Sequence, residues 1–555
     1  MVGETRVIGR DERIREYLLP QRVVLEENAE RTDALFQECT LQIMLFEENC
    51  AVLKEGGALI LDYGREIHGG VRLLIARCVS GGSLRLRFGE SVSECCAETT
   101  GKNYEQLKAS DRATATNDHS PRDFCVPCVP LSDTEWGSTG FRFLRIDNVG
   151  LGDIEFKSVP AVFVHRDLQP DGRFECDDAR LNEIYQTAAY TLMLNMQHHL
   201  WDGIKRDRLV WIGDLHPETK GILSLFGSHS CVPEALRLMA ETTPLPGFMN
   251  AMPAYSMWFI IILADYYLQN GNREELEGFG EYLGSLTRMF CGLVDESGEL
   301  NLSGYFLDWP SYEKEGARAG VYALFEIAMR RADFLLGELG RSQPEIGRTL
   351  ARLNRNLPDG GLKQVIALRA LAGHDDGRAA ERLAEGGAQG FSTFMSYYIA
   401  RAMFEGGRRR EALDCIKTFY GGMLDRGATT FWEDFDMGWL EGSSRIDELP
   451  KPGERDLHGD YGAYCYVGFR HSLCHGWSCG PVQFFTEYIL GVRVREPGCR
   501  VVEIAPYLGD LEHVSGAYPT PLGLIRIVHT RTEGKIRTEY SAPEGIRVIL
   551  RPAAE

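Results

Sequence analysis

The sequence predicts a multidomain protein of mixed α and β structure, with a long helical middle flanked by an N-terminal and a C-terminal β-sandwich domain. Three observations carry this. At 555 residues the chain exceeds what one hydrophobic core organises, so two to four domains are expected. Apolar residues alternate with period two at both ends of the chain. Between those ends the period lengthens to that of an amphipathic helix.

GALILDYG (57–64), GGVRLLIARC (69–78), SLRLRFGES (83–91) and STGFRFLRIDNVG (138–150) read as half-buried strands, the first three separated by glycine turns. Such alternation suits an antiparallel sheet with one wet face, hence a β-sandwich over residues 1–165. The pattern changes at GRFECDDARLNEIY, where Asp177 or Asp178 is placed to cap a helix carrying Leu181, Ile184, Ala188, Leu192 and Met196 at helical spacing. Helical segments with short Gly- or Pro-bearing connections recur through residues 166–491, as expected of a closed ring of helical hairpins. After Gly491, VVEIAP, GLIRIVHTR and IRVILRP return to period two around a PTPLG turn, giving a small β-domain over 492–555.

With 44% hydrophobic and 25% charged residues the chain reads as an ordinary globular protein. A net charge of -20 repels nucleic acid and anionic membranes, so neither is an expected partner. The N-terminus lacks the apolar stretch of a secretory signal, and MWFIIILADYYL (257–268) is too short to span a membrane, so it reads as a buried helix. Fifteen cysteines, an odd number scattered among apolar neighbours, suit reduced thiols in a cytoplasmic protein. Cys125-Val-Pro-Cys128 lacks the second cysteine pair or histidine pair that zinc wants, and reads as buried or half-buried thiols, with a redox or metal role as the alternative. A homo-oligomer is left open.

WDGIKRDRLVWIGDLHPE (201–218) sets Asp207 between Arg206 and Arg208, with Asp202 and Asp214 on either side and Trp201 and Trp211 nearby. Flat indoles beside carboxylates and guanidinium groups fit a sugar ring, with its apolar C–H faces and hydroxyl edges. A structural Arg–Asp network would collect the same residues. GATTFWEDFDMGWLEG (427–442) repeats the theme with Trp432, Glu433 and Asp434. GYFLDWPSYEK adds Asp308 and Trp309, and FRHSLCHGWSCGP adds His471, His475 and Trp477, each histidine on its own more readily a satisfied buried imidazole than a site residue. No nucleotide loop, nucleophile elbow or zinc-protease motif competes, and no metal or organic cofactor is implied. Two carboxylates in a ring of helices suggest glycoside hydrolysis, in which one acid protonates the departing oxygen and the other activates water or attacks the sugar.

KRDRLVWIGD (205–214) resembles the RDERLGWTGD signature of the inverting α-L-rhamnosidases, the six-hairpin glycosidases of glycoside hydrolase family 78. ATTFWE (428–433), FLDW (306–309) and SLCHGWSCGPVQFFTEYILGV (472–492) resemble further motifs of that family in the same order. The resemblance implies a central (α/α)6 barrel between β-sandwiches, and exo-acting, inverting hydrolysis of a terminal α-L-rhamnosyl or similar deoxy-sugar linkage. It assigns Asp207 as general acid and Glu433 as general base. Asp202, Arg206, Trp211, Asp214, Asp308, Trp309, Trp432 and His475 would bind the carbohydrate substrate. The family's D-C-P-Q-R-D-E-R is shortened here to D-G-I-K-R-D-R, and an aspartate replaces the acid glutamate. Two further readings are a uronate lyase using His475 with Tyr461 or Tyr464, and a glycan-binding relative without turnover.

Overall fold

The computed structural model describes residues 9–97, 122–375, 377–463 and 468–553. The chain divides into two compact units, and the division does not follow chain order. The first comprises Met1–Leu168, Met193–Arg208 and Ser443–Cys474; the second comprises Gln169–Leu192, Leu209–Gly442 and His475–Glu555.

The first unit is built on an eight-stranded sheet in the order β1 (Arg13–Leu18), β8 (Ala161–Arg166), β3 (Ala51–Arg77), β6 (Ser132–Asn148), β4 (Ser83–Gly89) and β5 (Asp123–Pro127). Two further strands, β2 (Arg22–Glu30) and β7 (Ile154–Ser158), also pair with β3. The expected strands at 57–64 and 69–78 are one continuous strand, β3, rather than two joined by a glycine turn. Its register against β6 slips between Asp62 and Ile67 and again between Gly69 and Val71, so the glycine-bearing segments bend the strand instead of reversing it. Leu59, Ile60 and Leu61 are all buried there, so the segment lies under cover on both faces. Asp62 holds the first bend, accepting from Gly64 N at 2.7 Å and from Arg142 Nε at 2.8 Å.

The second unit is mainly helical. Asp178 caps the Ala179–Asn195 helix, its Oδ1 accepting from Arg180 N at 2.9 Å and Leu181 N at 3.2 Å. Helices follow at Leu215–Phe226, Cys231–Thr242, Pro253–Asn270, Arg273–Gly292, Ala317–Glu338, Lys363–Leu371, Ser396–Glu405 and Arg409–Asp425, with shorter ones between. The Pro253–Asn270 helix opens on a proline that needs no intrahelical donor and closes on Gly271 at φ 62, whose N–H bonds Tyr267 O at 2.8 Å. All of it except Leu268 and Asn270 is buried, as an apolar-all-round helix must be. Its aspartate, Asp265, is neutralised by Lys220 and Arg331, both at 3.5 Å, and bonds His216 at 3.1 Å. Among the described residues no helix is long and apolar enough to cross a membrane.

Two small sheets complete this unit. One has the order β10 (Val492–Val494), β11 (Val501–Ile504), β15 (Arg547–Leu550). The other runs β14 (Lys535–Ser541), β13 (Gly523–Thr532), β12 (His513–Thr520), β9 (Arg173–Cys176). The PTPLG segment turns β12 into β13, with Thr520 opposite Gly523. Strand β9 precedes the described helices of this unit, yet pairs antiparallel with β12, Cys176 lying opposite Val514. The segment expected to lead straight into a helix therefore first supplies an edge strand to the C-terminal sheet.

Candidate active site

Within the second unit the predicted residues converge on a chain of buried polar groups. Trp211 lies in the turn that starts the Leu215–Phe226 helix, with Leu215 N bonded to Trp211 O at 3.2 Å. Asn250 clamps both sides of that turn, accepting from Ile212 N and donating to Val210 O, each at 3.0 Å. Asp214 stands at the N-cap position but makes no capping bond. Its carboxylate is committed elsewhere, accepting from Tyr255 Oη at 2.8 Å and meeting His475 Nε2 at 3.1 Å. Gly213 makes this possible, because a Cβ there would lie 2.4 Å from the Tyr255 ring.

The other nitrogen of His475, Nδ1, faces Glu433 Oε1 at 3.9 Å. That gap is too long for a direct hydrogen bond and spans what a bridging water can connect. The order Tyr255–Asp214–His475–Glu433 thus sets an imidazole between two carboxylates, both almost fully buried. Burial pushes the Asp214 carboxyl up from the ordinary aspartate range, and its His475 and Tyr255 hydrogen bonds partly offset that rise. The backbone of Glu433 is held from two sides: its carbonyl accepts from Thr393 Oγ1 at 2.6 Å and Trp477 Nε1 at 2.9 Å. Ser478 Oγ fixes the carbonyl of Trp432 at 2.5 Å.

Two further carboxyls, Asp308 and Asp434, join this acidic group, Asp434 feeling the charges of both Glu433 and Asp308. Asp308 is buried and accepts from Ser392 Oγ at 2.6 Å, from Ser311 N at 3.0 Å and from the Ser311 hydroxyl; burial nonetheless raises its pKa. Asp434 is half-buried, and desolvation followed by the like charges of Glu433 and Asp308 pushes it up to about 7. A carboxylic acid protonated near neutrality therefore adjoins the buried Glu433.

Aromatic rings line these groups. Trp211 meets Tyr255 edge-on at 6.1 Å, Tyr255 meets Phe306 at 6.0 Å and Phe306 meets Trp309 at 5.2 Å. Trp477 packs on His475 at 4.5 Å. Trp211 and Trp309 are half-buried, whereas Trp432 is sealed inside against Phe435. Trp211 Nε1, Trp432 Nε1 and His475 Nδ1 are buried and make no hydrogen bond among the described residues.

Asp202, Arg206 and Asp207 belong to the first unit and are buried there. Asp207 has φ 58, and Arg208 N bonds Arg206 O at 2.8 Å across it, a three-residue turn in the left-handed region. Of the groups considered for elimination chemistry, Tyr461 lies under the Arg455 guanidinium at 3.9 Å, and Tyr464 falls outside the described residues. Among the described residues one trio, Glu90, Glu94 and His458, brings metal-capable atoms within 4.8 Å of one another, but the Lys205 ammonium already sits 2.9 Å from Glu94 and 3.3 Å from Glu90.

Sequence reasoning missed Tyr255, Ser392 and Thr393. Tyr255 is hidden in an apolar helix, and the other two are small hydroxyls with no distinguishing pattern. Trp477 was visible beside His475, but not its role in holding Glu433.

Residues 169–319 match the family described as the bacterial α-L-rhamnosidase six-hairpin glycosidase domain. An α-L-rhamnosidase of Formosa agariphila is 23% identical over 164 residues, which is 29% of this chain and 16% of that protein. The family 78 rhamnosidase of Bacillus sp. GL1 superposes with a TM-score of 0.72 at 22% identity, covering 94% of this chain and 55% of that one. A Klebsiella oxytoca rhamnosidase, solved with rhamnose bound, superposes with a TM-score of 0.63 at 20% identity, covering 86% of this chain and 96% of that one. The likeness to these structures, at 20–22% identity, is one of fold. Residues 169–319 are thus similar in sequence to the α-L-rhamnosidase six-hairpin domain, and the rest of the chain shares the fold of the solved rhamnosidases. The chain spans about a sixth of the Formosa protein (16%) and about half of the Bacillus one (55%).

Proposed function

We propose that the protein is an exo-acting glycoside hydrolase that removes terminal α-L-rhamnosyl or similar deoxy-sugar residues with inversion. The observation that carries this is the Asp214–His475–Glu433 series, in which a buried glutamate faces an imidazole whose far nitrogen is fixed by a second carboxylate. Glu433 acts as the general base. A water between it and His475 Nδ1 gives up a proton to the carboxylate while attacking the anomeric carbon. Asp214 keeps the imidazole in one orientation. Trp211 and Trp309, each half-buried, supply the apolar platforms, and Asp308 binds sugar hydroxyls.

The acid role falls to Asp207 through the likeness of KRDRLVWIGD to the family signature, with Asp202 and Arg206 as neighbouring sugar ligands. One carboxyl then protonates the leaving oxygen as the other deprotonates water, the division that inversion requires. The helical unit is read as an (α/α)6 barrel. The sheets at either end of the chain are read as sandwich domains with boundaries near 165 and 491, and the protein as cytoplasmic.

A panel of aryl glycosides including the α-L-rhamnoside tests the activity, and proton NMR of the first-formed sugar tests its stereochemistry. Release of β-L-rhamnose from the α-linked substrate is the expected result. Release of the α-anomer refutes inversion, an unsaturated product indicates a lyase, and sugar binding without turnover of any substrate indicates a binding protein.

A further inference from the structure

Lys205 has no exposed surface, and its surroundings lie entirely within the first unit. The ammonium donates to Phe469 O at 2.5 Å and His471 O at 2.9 Å, and pairs with Glu94 at 2.9 Å and Glu90 at 3.3 Å. Glu94 is also paired with Arg122 at 3.1 Å. Burial alone would raise the Glu94 carboxyl, but Arg122 and Lys205 overcome it and hold it down at about 2. Burial pushes Glu90 up to about 7. His458 closes the cluster: burial, reinforced by Lys205, lowers it to about 3, so it is a neutral imidazole. Its Nε2 donates to His471 O at 2.8 Å and its Nδ1 accepts from Ser91 Oγ at 2.7 Å.

A buried ammonium with this many partners has one position open to it. The backbone on either side is fixed as well. Gly140 N bonds Ile204 O at 3.0 Å, and a Cβ at Gly140 would come within 2.9 Å of Lys205 N, so the strand can approach this segment only through a glycine. Beyond the turn, Arg208 donates to Ile204 O at 3.1 Å and Ser138 O at 2.5 Å. Between these anchors stands Asp207, in a backbone conformation that non-glycine residues adopt only when their surroundings impose it.

We propose that Lys205 is a positioning residue: on the hydrolase reading above, its buried ammonium fixes the turn that presents the Asp207 carboxyl to the leaving oxygen. Lys205 is thereby separated from the charged residues beside it in the motif. It has no exposed surface and acts through Asp207. The cation in the Glu90–Glu94–His458 trio is this lysine rather than a metal ion.

The test uses the full chain as wild type, Lys205→Met, Lys205→Ala and the double variant Lys205→Met/Glu94→Gln, which removes a buried cation and its partner charge together. Hydrogen exchange of the peptide covering residues 201–209 is read beside thermal unfolding and kinetics on an aryl α-L-rhamnoside. Exchange in that peptide is expected to rise about tenfold or more in Lys205→Met and in the double variant, while the Leu215–Phe226 helix keeps its protection. kcat is expected to fall about 100-fold with KM within about threefold, the signature of a misplaced proton donor. n-Propylammonium, which replaces the side chain from Cγ to Nζ, restores kcat to Lys205→Ala and not to Asp207→Asn. A folded Met variant with wild-type exchange and kcat overturns the proposal. So does loss of folding in both Met variants, which makes Lys205 a scaffold residue only. A wild type that turns over no rhamnoside refutes the hydrolase reading alone, and the exchange measurement still decides whether Lys205 anchors the turn.

Discussion

Asp434 offers a test of the site that needs no substrate. Its carboxyl titrates at about 7 in the folded protein, against about 3.8 for an ordinary aspartate. Between those values the native state keeps a proton that the unfolded chain has released, so the native state binds more protons and stability falls as pH rises through the window. The interval is about three pH units, worth about 4 kcal/mol at 1.36 kcal/mol per unit. Asp434 is only half-buried, and water screens part of the interaction, so about 2 kcal/mol is the working figure. Asp434→Asn cannot ionise, and its Oδ1 still accepts the Phe435 N–H bond of 3.0 Å. Wild type and variant should be equally stable near pH 4, and the variant should lead by about 2 kcal/mol at pH 8. Urea unfolding followed by tryptophan fluorescence at several pH values measures this, fitted to the transition of the helical unit because two units need not unfold together. A stability gap independent of pH, or one that favours the wild type as pH rises, would refute the electrostatic account of the pocket.

Three other outcomes are expected. Glu433→Gln should lower kcat about a thousandfold, within the range for loss of a general base, while calorimetry shows L-rhamnose binding retained. Tyr255→Phe removes the 2.8 Å bond to the Asp214 carboxylate. It should cost about 1.5–3 kcal/mol of stability. Because that bond lowers the Asp214 pKa, its loss should also move the acid limb of the pH–rate profile to higher pH. Gly213→Ala places a methyl 2.4 Å from the Tyr255 ring, and the collision should cost about 1–3 kcal/mol and lower kcat as Tyr255 leaves Asp214; thermal unfolding and kinetics check both.

The parts of the fold legible in the sequence were those where one physical signal dominated. Met257–Leu268 was apolar on every side, and it is a buried helix. Asp178 preceded a helical stripe, and it caps the helix. The failures have particular causes. Leu215–Phe226 was hidden because Pro217 and Gly221 look like loop residues, although proline is welcome in a first helical turn. Strand β3 was split because its glycines look like turns, whereas the sheet uses them to bend. Strand β9 was invisible because four residues carry no periodicity and its partner lies far along the chain. At the site, Asp214, Glu433 and His475 were named from their motifs, and the structure joins them. Lys205 was given no role, because its burial depends on Glu90 and Glu94, which no local pattern connects to it. Asp434 was quoted beside Glu433 without a role, since its protonation depends on Asp308, distant in sequence.

The pairing of Cys176 with Val514 bears on how the chain matures during synthesis. On a ribosome working from the N-terminus, the strand that includes Cys176 emerges early and must wait until more than three hundred further residues have been made before its neighbour exists. Until then it is an unpaired edge able to dock on the wrong chain, so nascent protein should depend on holdase chaperones. Truncation just short of residue 513 should leave a product that aggregates rather than one that merely lacks a tail.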